Sequence, residues 1–272
     1  MPIACSALLV WSLLVSTPPA STPTLATEDT LHTEVPEVLV RAPRVTLEEI
    51  LDRVARGEAR RDSLLTDQSF TVAVRLVRDA RGPKPSRLLE EAVWRVFRKR
   101  PDKVRSFLLR RWAERQEKHA DLHVEFSPSM GEEVVNFAFR PRASRDYRYR
   151  IVGRDLLGDH LIYRLEFEPR SPLSGFEPSG LVWIDTNDFV IAREELRFRQ
   201  SPVPLILRGV DRMVVERQRV SGHWVLRRVL LRGETTVPLP RIGKSFDLSI
   251  QYDDYALNSG LDDRLFERGG AR

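Results

Sequence analysis

Leu161-Ile162-Tyr163-Arg164-Leu165-Glu166-Phe167-Glu168 changes character at nearly every residue, with Leu161, Tyr163, Leu165 and Phe167 on one side and Ile162, Arg164, Glu166 and Glu168 on the other. A period of two belongs to a strand with one dry and one wet face. The same period spreads outward from this stretch. Phe70, Val72, Val74 and Leu76 alternate with Thr71, Ala73 and Arg75. Val190, Ala192, Leu196 and Phe198 lie opposite Arg193, Glu195, Arg197 and Arg199. Phe246, Leu248, Ile250 and Tyr252 alternate with Asp247, Ser249, Gln251 and Asp253. Turn chemistry separates the runs at Arg81-Gly82-Pro83, Arg100-Pro101-Asp102, Asp185-Thr186-Asn187-Asp188 and Ser221-Gly222. Strands and helices do not alternate as a parallel sheet requires. The expected fold is α+β, mainly β: a single strongly curved antiparallel sheet, an open half-barrel, with helices covering its concave face.

Upstream of the first strand, Thr46-Leu47-Glu48-Glu49 has the form of a capping box, in which Thr46 accepts the third amide and Glu49 bonds back. Leu47, Ile50, Leu51, Val54 and Ala55 follow at helical spacing, which predicts a helix to about Gly57 or a turn beyond. Residues 113–122 are a second helical candidate. Residues 27–45, with Pro36 and Pro43, read as an extended lead-in carrying a short edge strand at Glu37–Arg41. Ahead of them Ile3 to Val15 is apolar, and no charged side chain precedes Glu28. That run has the length of a signal-peptide core and is short for a membrane span. Thr24-Leu25-Ala26 supplies small residues for cleavage, so residues 1–26 are expected to be a signal peptide and 46–272 the domain; retention as an anchor is the alternative. Downstream, no stretch is apolar enough to cross a bilayer, so the mature chain is expected to have no transmembrane span. Cys5, the only cysteine, leaves with the signal and takes every disulfide with it.

The 272 residues carry a net charge of +5, with 42% hydrophobic and 31% charged side chains, a balance that excludes a disordered chain. Lys84, Lys99, Lys103, Lys118 and Lys244 are the only lysines, so arginine supplies nearly all the positive charge. The stretch Arg95 to Arg115 interleaves this charge with Phe97, Phe107 and Trp112 just beyond Trp94. Export removes nucleic acid as its partner and leaves phosphate on lipid, against the blander reading of charged outer positions along a hairpin.

Several segments, in order, resemble the outer-membrane lipoprotein-sorting family, the LolA- and LolB-like periplasmic carriers. They are Thr66-Asp67-Gln68-Ser69-Phe70-Thr71, the basic hairpin Phe97–Arg105 around Arg100-Pro101-Asp102, and Tyr163-Arg164-Leu165-Glu166-Phe167-Glu168-Pro169. Gly180-Leu181-Val182-Trp183-Ile184-Asp185, Ile191-Ala192-Arg193 and the closing Tyr252–Phe266 continue the series. The resemblance implies a half-barrel lined with apolar side chains and lidded by helices, a shape that holds acyl chains. No lid-controlling arginine aligns to one position here.

Chemistry-bearing patterns are few. His119-Ala120-Asp121-Leu122-His123 puts two histidines four apart, but a zinc protease needs Glu where Ala120 stands, so no metal site is expected. Glu132-Glu133, Asp253-Asp254 and Asp262-Asp263 are adjacent pairs that on strands point to opposite faces. Neither a nucleophile elbow nor a phosphate loop is present, and no cofactor is expected. The expectation is a periplasmic binder or carrier of lipid or lipoprotein acyl chains, not an enzyme, with envelope proteins as further partners and no nucleic acid. Its apolar cavity is expected to be lined by Phe70, Val72, Val74, Trp94, Tyr163, Leu165, Phe167, Trp183, Leu196 and Phe198. The alternatives are an envelope-stress sensory module that reads lipids through the same cavity, and an envelope hydrolase with an unrecognised site.

Overall fold

A computed structural model describes residues 45–78, 86–113, 137–139, 145–157, 160–171, 177–200, 207–239 and 243–267. The expected signal peptide, the Glu37–Arg41 strand, the helical candidate beyond Ala113, and His119 and His123 lie outside the described residues.

Ten strands follow one helix. After α1 (Leu47–Leu64) come β1 (Asp67–Arg78), β2 (Arg87–Lys99), β3 (Lys103–Ala113), β4 (Tyr147–Leu157) and β5 (His160–Pro169). The series closes with β6 (Ser179–Asp185), β7 (Val190–Arg197), β8 (Leu207–Val220), β9 (His223–Leu239) and β10 (Gly243–Leu257). They form one antiparallel sheet in the order β3-β2-β1-β10-β9-β8-β7-β6-β5-β4, an open half-barrel with β3 and β4 as its edges. Apart from β1 with β10, every pairing joins neighbours in sequence, as short turns dictate. At the β8–β9 turn Ser221 and Gly222 take φ of 48° and 80°, the left-handed geometry that a tight hairpin requires.

A single register line ties the sheet together. Ala92, Val74, Ile250, Val229, Val215, Glu194, Val182, Leu165 and Ile151 stand opposite one another on successive strands from β2 to β4. Directly opposed residues share a face. Eight of the nine are apolar, and this inner face carries the core. The other face is an ionic lattice: Glu216 accepts from Arg193 at 2.7 Å and Arg228 at 2.6 Å, and Asp247 from Arg232 at 2.6 Å. Such surface pairs each contribute about 0–1 kcal/mol, so burial on the inner face carries the fold.

Helix α1 starts as its cap predicts, with Thr46 Oγ1 accepting from Glu49 N at 3.2 Å. The reciprocal half of the box is not made, because Glu49 pairs with Arg53 one turn on. The helix runs through Gly57 to Leu64 rather than ending near it. Gly57 serves as a contact point: a Cβ there would sit 2.3 Å from the Phe189 carbonyl oxygen in the β6–β7 turn. Ile50 and Val54 enter the core beside Leu165, Ile184 and Ile191, and α1 packs against β4, β7 and β9. One α-helix, not several, covers the inner face among the described residues.

Candidate functional site

The sequence-predicted cavity residues divide into three groups. Phe70 and Val72 are buried on β1, with Val74 and Trp94 partly buried beside them. Tyr163, Leu165, Phe167 and Leu196 are buried in the same core, which Ile50 and Val54 of α1 also enter, and Phe198 packs against it. Trp183 belongs elsewhere. Register places it between Arg164 and Arg193 on the outer face, with the Arg193 guanidinium 5.1 Å from its ring. Its neighbours Val182 and Ile184 are the inward residues of β6, and alternation leaves Trp183 outside.

Beneath the second half of α1 the apolar core gives way to a buried polar cluster. Arg217 Nη1 donates to Glu58 Oε1 at 2.6 Å and to the Ile191 carbonyl at 3.0 Å, while Ile191 N donates to the same Glu58 oxygen at 2.8 Å. Arg61 lies 3.5 Å from the other Glu58 oxygen. Burial pushes the Glu58 carboxyl up, but Arg217 and Arg61 outweigh it and hold the group below its ordinary range. This pair joins helix to sheet. A buried ion pair fixes geometry more than it adds stability.

Glu194 differs from that pair. It is fully buried, and neither carboxyl oxygen has a hydrogen-bond partner. Burial drives its carboxyl well above the ordinary range; Arg217 opposes this and Glu58 reinforces it. The carboxyl stands between Val182 and Val215, where burial favours its protonated form. Sequence reasoning passed over position 194 because a hydrophobic pattern assigns every Glu to the wet side. The signal was the Glu194-Glu195 pair itself, since a strand must turn one of two neighbours inward. The β6–β7 pairing also shifts register between Trp183 and Ile184, so Ile191 is the buried residue where the alternation predicted Ala192.

The inner face continues past α1. Val72 stands opposite Trp94 and Trp94 opposite Leu108, while Gln68, Arg98 and Val104 form a parallel row. Leu108 is 53% exposed and Val104 48%. On the same edge strand Leu109, Trp112 and Phe107 are also exposed. Thus apolar side chains stand exposed along β3 at the sheet edge, while Ala92 and Val96 on β2 beside it are buried.

No family model and no curated protein matches the chain. Solved structures do. An outer membrane lipoprotein-sorting protein domain from Vibrio parahaemolyticus shares 14% identity at a TM-score of 0.36, covering 80% of this chain and 97% of that one. A DUF1329 family protein from Desulfovibrio piger shares 15% at 0.39, covering 83% and 98%. A LolA superfamily protein from Nitrosomonas europaea shares 14% at 0.33, covering 82% and 97%. None reaches a TM-score of 0.5, and the functional reading rests on this chain's own residues.

Proposed function

We propose that this protein is a periplasmic binder or carrier of acyl chains, taking lipid or acylated lipoprotein onto the inner face of its half-barrel. The observation that carries the reading is Leu108, half exposed on the edge strand opposite the core-packed Trp94, with Val104 half exposed farther along the same strand. Large side chains left open on a core-bearing face are uncommon in a sealed domain and mark a binding surface. Trp94 forms the floor of this site, backed by the buried Phe70 and Val72 and the partly buried Val74. Tyr163, Leu165, Phe167, Leu196 and Phe198 belong to the closed half, which α1 would have to leave before a chain could enter.

Burial alone is sufficient for binding. Each methylene shielded from water contributes about 0.8 kcal/mol, so ten contribute about 8 kcal/mol, near micromolar affinity before ordering costs. Release then needs only a competitor for the same surface, with no bond made or broken. The test is titration of delipidated mature protein with a fluorescent fatty acyl probe, followed by competition with phospholipid and triacylated peptide. Saturable, competable binding weakened by Leu108→Asp is expected. A folded protein without such binding, and without co-purified lipid, rules the reading out.

A further inference from the structure

Five of the eight large hydrophobic side chains that stand exposed among the described residues lie on one strand: Val104, Phe107, Leu108, Leu109 and Trp112 of β3. That strand is an edge of the sheet, paired with β2 alone. Register divides the five between two faces. Val104 and Leu108 stand opposite Arg98 and Trp94 on the inner face, while Phe107 and Trp112 stand opposite Arg95 and Glu91 on the outer one. Leu109 sits at the register shift between Val93 and Trp94. Scattered exposed apolar residues need no explanation, but five on a strand of 11 residues form a patch.

Charge collects at the same place. The hairpin Arg87–Ala113 carries nine arginines and lysines against three acids, Glu90, Glu91 and Asp102, an excess larger than the +5 of the entire chain. Individual cations are engaged: Arg110 with Glu91 at 2.7 Å, Arg111 with Glu90 at 2.9 Å, and Lys103 with Asp263 of the C-terminal tail at 3.1 Å. Such pairs do not cancel nine charges, and the field beyond the surface follows the sum.

The occupant has to suit both properties. A second copy of β3 does not: antiparallel pairing about Leu108 sets Arg105 against Arg111, and like charges directly opposite are destabilising. A strand from another protein would cover the backbone edge and leave most of both side-chain faces in water. An anionic bilayer covers the edge and both faces together. Tryptophan and phenylalanine settle at headgroup level, arginine and lysine meet lipid phosphate, and the hydrated headgroup zone still satisfies the edge backbone. We propose that β3 docks edge-on onto an anionic lipid bilayer, with Phe107, Leu109 and Trp112 in the headgroup region and the hairpin cations against the phosphates. This docking is separate from the acyl-binding reading, which uses Leu108 on the inner face.

The experiment sediments the mature chain with vesicles of phosphatidylcholine and phosphatidylglycerol in equal parts, and with vesicles of phosphatidylcholine alone. Partition onto the anionic vesicles should be roughly tenfold stronger or more at low salt, and the preference should fall as salt rises. Phe107→Ser and Trp112→Ser should each lower it several-fold while keeping the wild-type far-UV spectrum. Arg110→Gln should lower it about fivefold, the equivalent of about 1 kcal/mol for one cation near the surface. Leu156→Ser and Arg148→Gln, at exposed positions on the opposite edge strand β4, should leave it unchanged. Equal partition onto both kinds of vesicle overturns the proposal, as do losses of the same size in the β4 variants, since neither outcome needs β3. Absence of vesicle binding overturns it as well, and salt-sensitive binding of a peptide of alternating glutamate and valine would then give the edge to an acidic strand.

Discussion

Replacing Glu194 with leucine should stabilise the protein, against the usual rule that altering a fully buried residue harms it. Both Glu194 oxygens are buried without a hydrogen-bond partner, flanked by Val182 and Val215 across the register. An unsatisfied buried polar group costs about 1–3 kcal/mol, and leucine of similar size removes that cost without opening a void. In a domain of this size 1 kcal/mol shifts the melting temperature by about 2–4 °C. The pH dependence is a second, independent signature. Burial raises the Glu194 carboxyl well above 4.5 in the folded state. Its stabilising contribution is therefore complete below the unfolded value and is lost as pH rises through the folded one. Across that window each pH unit costs the wild type about 1.4 kcal/mol that neither Glu194→Leu nor Glu194→Gln incurs. Urea denaturation followed by far-UV circular dichroism at pH 5, 7 and 9 should show the gap between variant and wild type widening with pH. Taking the difference at each pH cancels most of the contribution of groups that do not interact with Glu194. A leucine variant less stable than wild type, or a gap that narrows with pH, would show that Glu194 is ionised and paired, and the reasoning would fail.

Other expectations follow from the same contacts. Glu58→Ala should cost about 3–5 kcal/mol, because it leaves Arg217 buried without its carboxylate. The Glu58 contribution has the opposite pH sign: its depressed carboxyl stabilises the fold above 4.5, and acid titration of wild type against Glu58→Gln should show it lost as pH falls through the folded value. Leu165→Ala, in the middle of the closed half, should cost about 2–5 kcal/mol in thermal denaturation, whereas Leu108→Ala should cost under about 1 kcal/mol and act on probe affinity instead. Gly57→Ala should destabilise despite its better helix propensity, since the added Cβ meets the Phe189 carbonyl; a raised melting temperature would refute that contact.

Much of the fold was legible because strand alternation is a local signal. Most of the inward sets on β1, β5 and β10 are buried, as at Phe70, Val72, Leu165, Phe167, Ile250 and Tyr252, but at the start of β5 Leu161 is exposed and Ile162 buried, the reverse of the alternation; the capped helix begins at Leu47 as Thr46 indicates. The site was legible only in part. Phe70, Val72, Val74 and Trp94 lie on the face expected of them, but Trp183 does not, because an aromatic residue in a strand carries no mark of its side. Arg193 covers its ring on the wet face, which a reading of hydrophobicity treats as core.

Sequence by itself determined the runs of alternation at β1, β5, β7 and β10, the helix start and the two-faced character of the sheet, since each follows from residues a few positions apart. Only the tertiary structure decided which strands of the inner face α1 packs against. It alone joined Glu58 on the helix to Arg217, 159 positions away, and set Glu194 unpartnered within an apolar row. Those outcomes depend on where a helix comes to rest on a sheet and on register shifts between strands. Both are settled by packing over the whole chain, so no local window of sequence contains them.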